Sequence, residues 1–464
     1  MLALELNDAQ LILAAPAGAE APRIVARAPG VACVTDAEVL TGEVAARQAK
    51  LQPQRTYHRF WQDLAADPLG RTHRPQLSSA DLAFEQLRTL LAATDDAEHR
   101  LMLAVPAGYS REQLGLLLGI ASEAGVVETG LVDAALAACA LTPVPVHVLH
   151  LELHRHRVVV TAVEQEGRGA RRARFELDGA WGWQRLEQLC IGIVAGNFVK
   201  QTRFDPLYRA QTEQMLADGV AGWLQLLHTS ESVPIALATD TEKPETELTR
   251  AQWLSAAEPC YAALTQLVQS ARPAGRHLEL RVGHMAQALP GLIDRLRELN
   301  SCDVTLLPEG ASAIGALRHH QAILRGATPA LVCELPLELR GAPATPEAAP
   351  PKSRAGARAT HVLCGGRAWP LLESPLVIGT QVPAGQRALT LPPGLPGVSR
   401  VHCRVVLRDG NAYVEDLSTY GSFVNEQRVH GQAPLQRGDR LRLGAPGIVL
   451  ELIELMDEHA APTL

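Results

Sequence analysis

Aromatic residues are scarce in this chain: Phe, Tyr and Trp number six each among 464 residues. Any core must therefore be assembled from Leu, Val and Ala, and a hydrophobic content of 47% is ample for that. Cysteine is sparse and scattered, at positions 33, 139, 190, 260, 302, 333, 364 and 403, with no C-x-x-C spacing. This argues against a zinc site or a disulfide framework and fits reduced thiols. Long apolar runs are missing. The longest, residues 114–121, is far short of the roughly 20 residues that a membrane span needs. The start, M-L-A-L-E-L-N-D, has no basic region and no cleavable apolar core, so no signal peptide is expected. Positive charge is in deficit, with 43 Lys and Arg against 50 Asp and Glu and a net charge of −7. That balance argues against general nucleic-acid binding. A cytoplasmic protein with no nucleic-acid partner and no membrane insertion is the expectation. The length suggests two to four domains.

What is present, first, is alternating strand and helix patterns. Residues 2–6 and 11–14 predict a hairpin turning at Asn7-Asp8, and 31–34 a short strand. Residues 37–48 predict a helix and 101–105 a buried strand. Ser110 with Gln113 three residues on is a capping-box signature for a helix that ends at Gly125. Residues 132–141 predict an Ala-rich helix stopped by Pro143. Residues 146–153 and 158–164 predict a second hairpin around His154 to Arg157, and 167–174 a Gly/Arg turn. Long helices are predicted over 181–198, 208–227 and 248–271, with a strand at 233–237 and an acidic loop at 239–247. Residues 278–282, 289–299, 304–306 and 309–321 then alternate strand, helix, strand, helix. Such alternation predicts an α/β architecture. Residues 341–359, rich in Pro, Ala and charge, read as a semi-extended linker.

The tail changes character. Residues 401–406 alternate as a strand, Asp409-Gly410 is a tight hairpin signal, and 412–416 reads as the returning strand. Small polar loops at Ser399-Arg400 and Ser418-Thr419 sit at strand ends. Hydroxyls and backbone N–H groups held rigid there suit an anionic oxygen cluster.

Gly379, S-R-x-H at Ser399 to His402, D-L-S-x-Y-G-S-F-V-N at Asp416 to Asn425 and G-D-x-L-x-L-G at Gly438 to Gly444 stand in order. On these motifs residues 360–456 resemble a forkhead-associated domain, with residues 457–464 as a tail. The resemblance implies a β-sandwich that reads phosphothreonine through its loops. It implies that Ser399 donates to the phosphate, Arg400 lines the peptide groove, and Thr419 offers a second hydroxyl. Thr380, Tyr420 and Asn425 complete the implied peptide site. Gly379, His402 and Gly421 would support it, with His402 bracing the loop from behind. The family's Gly-Arg pair reads Gly379-Thr380 here, and the usual loop Asn is Tyr420. Loss of that arginine should weaken phosphate affinity, because a charge-assisted bond is worth about twice a neutral one. Arg400 or Arg387 could substitute. The alternative is phosphate-independent docking.

Residues 1–340 resemble, by order and spacing, the nucleotide-binding domain of seventy-kilodalton heat-shock chaperones and the wider actin-like ATPases. A-V-P-A at Ala104, V-V-V-T-A-V-E at Val158, L-R-V-G-H at Leu280 and L-L-P-E-G-A-S-A-I-G-A at Leu306 carry the likeness. It implies an actin-like, ribonuclease H-like, two-lobed fold. The family's phosphate-cradling hairpins are degenerate. Glu5 and Glu152 stand where aspartates are expected, Asn7-Asp8-Ala9 fills one turn, and His154-Arg155-His156 replaces the glycines of the other. Glycine matters there because backbone N–H groups must approach phosphate oxygens. The family's glutamate position falls on Gly130 and its lysine on Trp61. Arg155 or His156 could instead contact an anion. Gly283, Glu5 and Glu152 are the candidates for residual nucleotide binding. Neither catalytic residues, nor a metal, nor a cofactor is expected, with ATP and magnesium the remaining alternative.

Weaker signals read as structural. His147, His150, His154 and His156 are expected as solvated hairpin histidines rather than metal ligands, and Arg168, Arg171, Arg172 and Arg174 as a solvated turn. His319-His320 is expected to complement a helix dipole. The expected function is a non-catalytic interaction or scaffold protein whose partners carry phosphothreonine, among them a Ser/Thr kinase or its substrate. The alternatives are a diverged chaperone-like ATPase and a structural subunit.

Overall fold

The computed structural model describes residues 1–17, 20–70, 74, 76–94, 99–142, 147–166, 169–239, 243–272, 277–324, 330–336, 359–364, 367–381, 386–391, 398–408, 411–418, 421–425, 427–429, 431–444 and 448–453. The chain divides into two compact units, Met1–Gly341 and Ala342–Leu464. Residues 341–358 of the expected 341–359 linker, the tail at 457–464, Pro143, the Asp409-Gly410 turn, Thr419 and Tyr420 lie outside the described residues.

The first unit is built twice on one plan. Leu2–Glu5, Leu11–Ala17 and Glu20–Ala28 form an antiparallel meander. His99–Val105 pairs parallel with the free side of Leu2–Glu5, and Val126–Asp133 follows it, also parallel. In a second sheet, His147–Leu153, Val158–Glu166 and Gly169–Asp178 make the meander. Leu278–Val282 and then Cys302–Leu306 add on in parallel. Each sheet carries one further short strand at its edge, Leu331–Val332 or Glu334–Leu335. Parallel neighbours need a crossover. The helix Arg111–Glu123 supplies it in the first sheet, opened by the Ser110–Gln113 capping box and closed at Gly125, φ +82°. The shorter helices His284–Gln287 and Leu292–Arg297 supply it in the second.

The scarcity of aromatics shows in the packing. Helix Ala311–Arg318 lies on helix Ala134–Cys139 so closely that a Cβ on Gly315 would meet Ala137 O at 1.8 Å. Small residues let backbones approach where bulk would hold them apart. The long helices Trp183–Thr202, Ala210–Leu226 and Arg250–Ala271 bury Leu, Val and Ala against the second sheet.

Several elements depart from the expectations. Residues 37–48 hold a strand, Val39–Thr41, and only a five-residue helix, Gly42–Ala46. The strand wins because Val39 and Leu40 pair with Ala32–Val34. Val132 and Asp133 end a strand, and Asp133 caps helix Ala134–Cys139 by accepting from the Leu136 N–H at 3.0 Å. The expected Gly/Arg turn is strand Gly169–Asp178, and the acidic loop ends in strand Glu245–Thr249. Residues 309–321 form two helices, Ala311–Arg318 and His320–Ile323, parted at His319, with His320 Nδ1 2.9 Å from Leu317 O.

The second unit is a β-sandwich. One sheet has six strands: Arg367–Pro370, His361–Cys364, Ile448–Ile453, Arg440–Leu443, Ser422–Val424 and Gln427–Arg428. The other has five: Arg387–Thr390, Leu376–Gly379, Cys403–Arg408, Asn411–Asp416 and Gln432–Leu435. Alternate residues, among them Ile378, Val405, Val414, Leu441 and Leu450, fill one core. Among the described residues no helix is long and apolar enough to cross a membrane.

Candidate functional site

In the second unit two loops meet at a buried histidine. Strand Leu376–Gly379 ends at Thr380, whose N–H donates to Ser399 O at 3.2 Å, while the Gln381 N–H donates to Arg400 O at 2.9 Å. This crossing is tight: a Cβ on Gly379 would sit 2.1 Å from Arg400 O. Glycine is therefore required at 379, whereas Thr380 beside it is only half-buried. His402 is fully buried. Its Nδ1 accepts from the Ser399 N–H at 3.0 Å, and its Nε2 lies 3.2 Å from Gly421 O. Burial pushes the imidazole pKa down and keeps the ring neutral. With Nδ1 accepting, the single proton sits on Nε2 and donates to Gly421 O. One neutral ring thereby ties the Ser399 loop to the Ser418–Gly421 loop. Ser399 is half-buried above it, and Arg400 is exposed.

Asp416 organises the second loop. Its Oδ1 accepts from the Ser418 N–H at 3.2 Å, the Ser418 hydroxyl at 2.8 Å and the Ser422 hydroxyl at 2.9 Å. The Ser418 oxygen in turn accepts from the Gly421 N–H at 2.8 Å. Burial pushes the Asp416 carboxyl up, but the Ser418 and Ser422 bonds outweigh it and the net shift is downward. The loop is thus fixed on both sides of 419–420. Gly421 has φ +88°, a backbone that favours glycine. The sequence reading missed this role of Asp416, although an acid two residues before a serine is a turn signal.

Two further candidates have hydrogen-bond partners within the domain. Arg387 Nη1 donates to Ser374 O at 2.9 Å and Nη2 to Pro370 O at 2.6 Å. It pairs in register with Leu376, three residues back from Gly379. Both of its Nη groups are engaged by backbone carbonyls. Asn425, at φ +49°, donates through Nδ2 to Asp439 Oδ1 at 2.7 Å and accepts from the Arg440 N–H at 3.0 Å. Its amide holds a turn.

In the first unit the two meander turns close on one another. The Arg155 N–H donates to Asp8 Oδ1 at 2.8 Å, and Asn7 Nδ2 donates to Leu153 O at 3.1 Å and Glu152 Oε1 at 3.3 Å. His154 lies between acids, with Nδ1 3.6 Å from Asp8 Oδ1 and Nε2 3.4 Å from Glu152 Oε2. Glu5 accepts from the Ser312 N–H at 2.9 Å. All these side chains are buried. Burial alone would lower His154, but Glu152 and Asp8 overcome it and raise its pKa to about 9. Asp8 and Glu152 are each brought down to about 2, against burial, chiefly by His154. Glu5, buried near Glu152, is pushed up to about 8. The His154 imidazolium is the local counter-cation. Gly283 heads helix His284–Gln287, which places His284 Nε2 2.9 Å from Gln10 Oε1.

Beside this cluster is a cavity of about 750 Å³ lined by, among others, Gln10, Lys50, His58, Arg155, Glu187 and Glu213. Lys50 pairs with Glu213 at 2.9 Å, and Arg155 lies 3.9 Å from Glu187. Glu5 and Glu152 are not in its lining. His150 and His154 are buried at 2% and 1% exposure, which corrects the expectation of solvated hairpin histidines. Burial pushes the His150 pKa down, whereas Glu152 and Asp8 hold that of His154 up. His147 lies 3.6 Å from Glu164, and His156 Nε2 lies 2.9 Å from His58 O. Among the described residues no group of three or more His, Cys, Asp or Glu is arranged to hold a metal ion. Trp61 is a core residue whose indole N–H donates to Gln86 Oε1 at 2.7 Å, and a Cβ on Gly130 would meet Ile323 at 2.7 Å. The arginine run is not a solvated turn: Arg172 pairs with Asp133 at 3.1 Å and Arg174 donates to Ala271 O. Arg168 lies outside the described residues.

Residues 377–444 match the family model of the FHA domain. The second unit therefore carries a forkhead-associated domain, a class of module that binds phosphothreonine-containing proteins. A search of curated proteins returns no match to the chain.

Proposed function

We propose that the protein is a non-catalytic adaptor. Its forkhead-associated domain reads phosphothreonine on a partner protein, a Ser/Thr kinase or its substrate, and its first unit is a degenerate actin-like docking domain. The observation that carries the reading is the His402 clamp, which holds Ser399 beside exposed Arg400 at the mouth of two rigid loops. A hydroxyl and a guanidinium on adjacent residues of a braced loop can both donate to one phosphate. Thr380 in the arginine position favours a second reading, phosphate-independent docking.

Support for the actin-like assignment is the repeated sheet order, a meander extended by two parallel strands, in both halves of the first unit. Support for lost catalysis is the charge of the closed turns. Magnesium-ATP does not fit there: Asp8 and Glu152 already hold His154, and the side chains of Asp8 and Arg155 occupy the turns where phosphates would need open backbone N–H groups. Titration of the full chain with ATP and magnesium should give neither binding heat nor turnover. Turnover that a Glu152→Gln variant abolishes would establish the ATPase alternative. A phosphothreonine peptide library should yield binders, and a library with no binders sinks the adaptor reading.

A further inference from the structure

Across the outer face of the six-stranded sheet, four residues stand in one register row. Arg428 pairs with Phe423, Phe423 with Arg442, and Arg442 with Val449. Directly opposed residues share a sheet face. Their neighbours Val424, Leu441, Leu443 and Leu450 belong to the core, so the row points away from it. The Arg442 guanidinium lies 4.1 Å from the Phe423 ring centroid, a cation–π contact that also holds the ring in place. Val449 is 47% exposed and Arg428 is exposed. Arg442 also donates through Nη1 to Gly444 O at 2.6 Å. Glu451 lies 3.6 Å from Arg440, and among the described residues Arg428 has no carboxylate partner.

The position of Arg428 gives the row its meaning. A Cβ on Gly421 would lie 3.0 Å from Arg428 Nε and 3.4 Å from its Cζ. The guanidinium is thus laid on the loop that His402 ties to Ser399. A peptide with its phosphate at Ser399 and Arg400 that continues past Gly421 meets Arg428 first, then the Phe423 face and Arg442.

We infer that the Arg428–Phe423–Arg442 row is a specificity surface for a carboxylate side chain flanking the phosphothreonine, so that the domain selects acidic phosphopeptides. This rests on the adaptor reading above and supplies a second cationic contact in a site whose usual arginine is Thr380. Arg428 grips the carboxylate, and Phe423 with Arg442 forms the apolar and cationic wall beside it. An exposed pair of this kind is worth a few-fold in affinity, not orders of magnitude.

The test uses the full chain and fluorescence anisotropy. An aspartate is moved through every position flanking one phosphothreonine peptide, and the parent peptide has neutral flanks. Aspartate on one side should tighten binding about two- to fivefold. Arg428→Gln should remove that gain and leave the neutral phosphopeptide unchanged, while Arg428→Glu should turn the preference toward lysine. Arg428 is exposed, so these variants keep the fold, checked by unfolding midpoint. Phosphopeptide binding with no flank preference, or a preference that survives Arg428→Gln, overturns the inference and leaves the adaptor reading standing. Should no phosphopeptide bind, an unphosphorylated acidic peptide decides. Arg428-dependent binding keeps the row as an acidic-peptide surface without phosphate, and its absence ends both readings.

Discussion

At the scale of single residues, Ser399, Gly379 and His402 do different work at one loop crossing. Ser399 is the proposed phosphate donor. Replacing it with Ala should weaken a phosphothreonine peptide by about 1–3 kcal/mol with the unfolding midpoint unchanged. Equal affinity in the variant would remove the hydroxyl from the site. Gly379 is steric. Its Cβ would be 2.1 Å from a backbone carbonyl, which cannot swing aside as a side chain can. Gly379→Ala should cost about 1–3 kcal/mol of stability and disturb Arg400, lowering peptide affinity as well. Urea unfolding and anisotropy on the same variant check both. A neutral result would mean that the strand end relaxes freely. The bracing position of His402 was legible from S-R-x-H alone. That of Asp416 was not, because its effect runs through hydroxyls two and six residues away.

At the scale of elements, the two meander turns of the first unit act as one charge-balanced joint. The pKa of His154 is raised from 6.5 to about 9, so its contribution is complete below about pH 6.5 and is lost as pH rises through 9. Glu5, raised from 4.5 to about 8, holds its proton in the folded state and adds to the loss between those values. Asp8 and Glu152, lowered to about 2, act oppositely and lose their contribution only in strong acid. The joint therefore weakens toward alkaline pH. The wild-type urea midpoint should fall between pH 7 and 9.5, and in His154→Gln the fall above pH 8, where Glu5 is already half titrated, should be shallower. Parallel profiles above pH 8 would show that His154 is not the counter-cation.

The hairpins at this joint were readable as hairpins from alternation and turn residues. Their burial was not, since four histidines within ten residues read as hydrophilic until the opposing turn is known. Strand Gly169–Asp178 was hidden for a similar reason. Its arginines mimic a turn, and only the partners Asp133 and the Ala271 carbonyl make them structural. The helix expected over 37–48 failed because pairing with a neighbouring strand overrode local propensity.

For the whole molecule, the two units divide the chemistry. The first has filled its turns with mutually compensating charge. The second keeps a hydroxyl and a cation beside a pair of fixed loops. The sandwich was legible because separated motifs encode it locally. The α/β order was legible from alternation, but the pairing of strands distant in sequence was not, since sheet order depends on contacts that no local pattern reports. Phosphate recognition by the second unit is decided by calorimetric titration of the full chain with one peptide in threonine and phosphothreonine forms. The phosphorylated peptide should give saturable heat and the other none. Equal binding of both forms would contradict phosphate recognition.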